Sequence, residues 1–113
     1  MGISIPFSAQ SANARTIARI CRKIAPEITI VLGGPDVSAR YETLLLETPC
    51  DYCVIGEGEL SFKEFMEKYN AGDSPIGIPG LAYVQDGTVR FVPRPYLTDL
   101  DQLPFPAYEL VDI

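Results

Sequence analysis

Two stretches of this chain have the composition of ligand-holding loops. Gly33-Gly34-Pro35 and Gly56-Glu57-Gly58-Glu59 each begin where a short apolar run ends. Residues without a Cβ let the backbone come close to a ligand, and open α/β sheets hold their ligands at the carboxyl ends of parallel strands. Ser4 and Ser8 fall at or just after the end of the first apolar run, so their hydroxyls are expected at that same edge. Three small, polar loops side by side would cradle a large flat or phosphate-bearing ligand. Taken singly, a glycine in such a place more often serves a turn. The candidate binding set is Ser4, Ser8, Gly33, Gly34, Pro35, Gly56, Glu57 and Gly58.

Other chemistries find less support. Glu57 and Glu59 are a paired acidic motif of the kind general acid–base catalysis uses. A carboxylate at a helix start is also favoured by the helix dipole, and that is the role expected of Glu59, with Glu57 left open. Cys50-Asp51-Tyr52-Cys53 is a C-x-x-C, but a zinc or redox reading needs a second pair or a helix starting after the first Cys. Cys53 instead enters an apolar run, so a structural role is expected. The chain contains no histidine, which removes Ser-His-Asp and Cys-His catalysis, His-ligated zinc and a His ligand to a corrin cobalt from these residues. Gly56-x-Gly58 lacks the third glycine of a dinucleotide fingerprint and follows the third strand, not the first. No catalytic or metal-binding residue is assigned.

A length of 113 residues fits one domain. The net charge of −6 argues against nucleic acid, which asks for a basic face. Arg15, Arg19, Arg22 and Lys23 gather on one predicted helix and read as a solvated face. No apolar run approaches a membrane span, and the N-terminus lacks the pattern of a signal peptide. Three cysteines without a secretion signal suit a reducing cytoplasm, the expected location.

The elements that would position the loops follow from periodicity. Residues 2–7 read as a strand closed by Pro6. Ser8 or Ser11 is expected to cap a helix whose apolar stripe is Ala14, Ile17, Ile20, Cys21 and Ile24, ending at Pro26. Residues 28–32, ITIVL, are a β-branched run covered on both faces. Asp36 or Ser38 is expected to cap a second helix along Val37, Tyr41, Leu44 and Leu45. Residues 52–55, YCVI, form a third strand. Ser61-x-x-Glu64 resembles a capping box, ahead of a stripe of Phe62, Phe65, Met66 and Tyr69. Residues 81–85 and 88–92 flank Asp86-Gly87, a hairpin signal. Four prolines follow from residue 93 onward, which marks a linker or an extended segment lying on a neighbour. The expected fold is therefore α/β: a partial doubly wound, Rossmann-like (flavodoxin-like) parallel sheet of three βα units, with a C-terminal β-hairpin and a Pro-rich tail. The expected division is 1–80 for the α/β part, 81–92 for the hairpin and 93–113 for the linker. Three parallel strands are few for this class, so an N-terminal portion is expected to precede residue 1.

VLGGPDVSA, DYCVIGEGELSFKEFME, GLAYVQDG and DLDQLPFPAYELVD, in this order, give the chain a resemblance over nearly its whole length. It resembles the cobalamin (B12)-binding-type domain that precedes the radical S-adenosylmethionine barrel in B12-dependent radical SAM enzymes, such as those of the anaerobic magnesium-protoporphyrin IX monomethyl ester oxidative cyclase type. The resemblance implies cobalamin as cofactor. Gly33-Gly34 match the family's Gly-Gly, next to the nucleotide tail. Ser4-Ile5-Pro6 falls at its Ser-x-Leu, with Pro6 in place of Leu. The family's Asp-x-His-x-x-Gly has no counterpart in these residues.

S-adenosylmethionine and a 4Fe-4S cluster are implied only for a radical SAM domain following residue 113, the expected partner of this domain. These residues alone would not be an enzyme; the parent chain would be an oxidative cyclase or methyltransferase. The rival reading keeps the fold as a structural and interaction module without cobalamin, and Pro6 and the missing His favour it. A stand-alone flavodoxin-like or receiver domain is disfavoured because no phosphoacceptor acidic cluster appears. The strand at residues 2–6 is expected to leave an unpaired edge that recruits a second copy, giving a homodimer or a domain swap. A monomer in solution with that edge exposed would contradict this.

Overall fold

A computed structural model describes residues 1–112. Its sheet has five strands in chain order: β1 (Gly2–Ser4), β2 (Val31–Gly33), β3 (Tyr52–Val54), β4 (Leu81–Gln85) and β5 (Thr88–Phe91). The first three are parallel, each pair joined by a helix, α1 (Ser11–Ile24) and then α2 (Pro35–Glu47). After β3 comes α3 (Glu59–Ala71), and the hairpin β4–β5 then joins the same sheet antiparallel to β3. The expected hairpin forms and extends the same sheet. Its turn places both Asp86 (φ 53°) and Gly87 (φ 73°) in the left-handed region, the geometry of a two-residue type I′ connection.

Side chains alternate across the strands and divide the core in two. Leu32, Cys53 and Ala82 face α1 and α2, where they meet Ala14, Ala18, Val37, Leu44 and Leu45. Val31, Val54 and Leu81 face the other way, onto Phe65 of α3 and onto Ile78. The result is a three-layer α/β module, as the alternation of elements predicts. Leu44 is fully buried. Leu44→Ala is expected to cost about 3 kcal/mol, measured as the loss of stability in urea unfolding.

The α1 packing differs from the expected stripe. Its contact face is Ala14 and Ala18, with Cys21 half-buried, whereas Ile17, Ile20 and Ile24 are exposed. Ala14 and Ala18 are what α1 buries in the shared core, and the larger side chains flank them. The basic residues of α1 are not all solvated either. Arg22 donates to the Pro26, Ile28 and Pro49 carbonyls and pairs with Asp51 at 2.7 Å, while the same carboxylate oxygen accepts from Ile30 N at 2.7 Å. This clasp sits where α1 ends and β2 and β3 begin, at the opposite end of the strands from the glycine loops.

None of the expected side-chain caps forms at α1, α2 or α3. Pro35 opens α2, with no N–H to leave unpaired. Buried Asp36 turns to Arg40, four residues on, and the Arg40 guanidinium has its pKa raised by that hydrogen bond. Ser61 and Glu64 are not a capping box, because α3 has already begun at Glu59. Both instead hold Arg94: its Nε donates to Ser61 Oγ at 2.9 Å and to the Pro79 carbonyl at 3.1 Å, and an Nη donates to Glu64 Oε2 at 2.6 Å. The Pro-rich segment thereby starts from a fixed point on α3.

Candidate functional site

The Ser4 and Gly33 positions are partners across the β1–β2 ladder. Gly33 has the same parity as Val31, so both partners face the α3 side of the sheet. They lie in a cleft of about 500 Å³ whose lining also includes Gly34, Gly56, Gly58 and Phe62. Three elements supply it: the end of β1, the turn from β2 into α2, and the loop from β3 into α3. Five of the eight residues singled out from the sequence therefore come together: Ser4, Gly33, Gly34, Gly56 and Gly58. Glu57 lines an adjoining hollow. Ser8 starts an exposed 3-10 turn, and Pro35 is the exposed first residue of α2; neither lines the cleft.

The two glycines of the first loop do different jobs. Gly34 has φ 108°, and a Cβ there would fall 2.7 Å from the Ile5 carbonyl oxygen. The turn wraps around Ile5, whose N–H donates to Gly33 O at 2.7 Å and whose carbonyl accepts from Asp36 N at 3.2 Å. Gly34 is thus demanded by the chain's own packing. Gly33 is not: its backbone suits any L residue, and a Cβ would meet only Val54 Cβ, at 3.9 Å. The missing side chain leaves space in the cleft and nothing else.

Ser38 ties the two loops together. Its hydroxyl accepts from Gly56 N at 2.8 Å and lies 3.5 Å from the Gly34 carbonyl, to which it can donate. The sequence marked this residue only as a helix cap, because its real partner is 18 residues away. Ser38→Ala is expected to cost about 1 kcal/mol and to speed hydrogen exchange at the Gly56 amide; Ser38→Thr, which keeps the hydroxyl, should behave as the parent.

Cys50 and Cys53 stand away from this cleft. Cys53 is buried in β3, and Cys50 donates to the Leu44 carbonyl at 3.6 Å; the neighbouring Cys53 thiol lowers the Cys50 pKa, while Cys50 and burial raise that of Cys53. Among the described residues no group of three or more His, Cys, Asp or Glu could hold a metal ion. No helix among them is long and apolar enough to cross a membrane. The cleft offers space, backbone, the Ser4 hydroxyl and the Glu59 carboxylate, groups that can hold a ligand.

A mixed, Rossmann-like sheet with a glycine-lined cleft at the carboxyl ends of its parallel strands defines a ligand-holding α/β module. Residues 1–66 match the family model of the B12 binding domain, and the chain belongs to that family. Among curated proteins it is similar to an uncharacterized methyltransferase of Pyrococcus horikoshii, PH0819, at 40% identity over 113 residues, 98% of this chain and 24% of that protein. It is also similar to the cytidylyl-2-hydroxyethylphosphonate methyltransferase of Streptomyces wedmorensis, at 30% identity over 132 residues, 96% of this chain and 24% of that protein. The chain thus spans about a quarter of the length of these relatives.

Proposed function

We propose that this chain binds cobalamin, with the nucleotide end of the cofactor in the cleft over Gly33 and Ser4, and that it serves a methyltransferase. The observation that carries the reading is the vacancy at Gly33, where a Cβ would enter the cleft and touch almost nothing. Ser4, its ladder partner, is exposed, and its hydroxyl can bond a ring nitrogen or a phosphate oxygen of the tail. Ser38 holds the Gly56 loop against the Gly34 turn, so the cleft is shaped before the ligand arrives. The residues therefore fit the group. When bound, cobalamin supplies a cobalt that takes up and passes on a methyl group; this chain positions it.

Methyl transfer is favoured over oxidative cyclisation by the names of the two relatives, both methyltransferases. The radical SAM context rests on the DLDQLPFP segment and the resemblance it carries. Equilibrium dialysis against hydroxocobalamin tests the binding. About one equivalent retained, with its visible spectrum shifted from the free form, is the expected result. No retention by the folded protein would leave the rival reading, a scaffold without cofactor.

A further inference from the structure

Beside the cleft at Gly33 lies a second hollow of about 370 Å³, and the two share Gly56 and Glu59. Its far wall is the segment after Arg94, which presents Pro95, Tyr96, Leu97 and Leu100. Ligand pockets of roughly 300–1,000 Å³ enclose drug-sized molecules. A corrinoid with its nucleotide tail is larger than that, so the first cleft holds one end of it and the ring must extend past the rim. Gly56 is that rim on the β3 side. It has φ 73°, a Cβ there would meet nothing, and it lines both hollows, so no side chain stands between them at this position. Ser38 keeps it in place.

The opposite wall is fixed too. Arg94 pins the start of the segment to Ser61, Pro79 and Glu64. Beyond that point Tyr96 is 83% and Leu100 65% exposed, although both line the hollow. These are apolar surfaces that the chain itself leaves uncovered, next to the Glu57 and Glu59 carboxylates, which can accept from amide groups on a ring's rim. We propose that Pro95–Leu100 is the second wall of the cofactor site, with Tyr96 and Leu100 packing against the edge of the bound corrinoid ring. This rests on the cobalamin reading above.

The test compares hydroxocobalamin binding by the parent protein, a Tyr96→Ala/Leu100→Ala variant and Gly33→Val. The double variant should fold with an unchanged urea midpoint, since both side chains are exposed, and bind about tenfold more weakly, as expected for the loss of two apolar contacts. Chymotryptic cleavage after Tyr96 in the parent should slow when hydroxocobalamin is present. If Gly33→Val abolishes binding while the double variant binds as the parent does and cleavage is unaffected, the second wall is overturned and the cobalamin reading stands. Absence of binding by the parent protein overturns both.

Discussion

Gly33→Val is expected to abolish retention of hydroxocobalamin while leaving the protein folded. This outcome follows from the position of the missing side chain. A valine at the end of β2 has the branched shape that strands favour, and its Cβ would make one ordinary contact, with Val54. The two methyl groups would project into the cleft beside Ser4, on the face where the nucleotide tail is proposed to lie. The stability change should stay within about 1 kcal/mol, while binding falls below detection in dialysis. A variant that still binds as tightly as the parent would mean that the ligand does not approach Gly33.

Gly34→Ala should do the reverse, losing stability before anything can be said of binding. The new Cβ would lie 2.7 Å from the Ile5 carbonyl oxygen and within 3 Å of two more backbone atoms of that residue, at a φ of 108° that side chains rarely adopt. None of those atoms is the end of a flexible side chain that could swing away. Either β1 separates from the turn, breaking the bond from Ile5 N to Gly33 O, or the turn changes conformation. The expected cost is about 3 kcal/mol, a large fraction of the roughly 5–15 kcal/mol that holds a domain of this size together. Urea unfolding measures it directly; an unchanged midpoint would show that the turn tolerates a side chain and that both glycines are free to serve a ligand. Adjacent and identical in sequence, the two glycines should thus separate cleanly, one by binding and the other by folding.

Much of this was legible in the residues themselves. The alternation of short β-branched runs with helical stripes gave the three βα units, and Asp86-Gly87 gave the hairpin, since both signals are local. Both glycine loops fall on one edge because parallel strands share a direction. Features that depend on a distant partner were hidden. Periodicity marks Ile17, Ile20 and Ile24 as a face of α1, yet Ala14 and Ala18 are what touch the sheet, because a period reports alignment and not which residues meet a neighbour. Ser61 and Glu64 have the spacing of a capping box, but that spacing equally puts two side chains on one helix face, and Arg94 takes both. A lone arginine between Pro93 and Pro95 was the available hint that the tail is anchored. The difference between Gly33 and Gly34 was out of reach for the same reason, since Ile5 decides it.

Ser38 shows how these long-range links bear on the site. Its hydroxyl joins loops that the sequence presents as separate, and the clasp of Arg94 fixes the segment on the other side of Gly56. The cleft and its neighbour are framed by contacts that no ligand needs to supply, the arrangement expected of a module that binds and orients a cofactor.

The most direct test of the central claim is a crystal structure of the protein with hydroxocobalamin. The nucleotide tail is expected in van der Waals contact with the Gly33 Cα and within hydrogen-bonding distance of the Ser4 hydroxyl. A bound cobalamin whose tail lies elsewhere, with the space over Gly33 left to solvent, would contradict it.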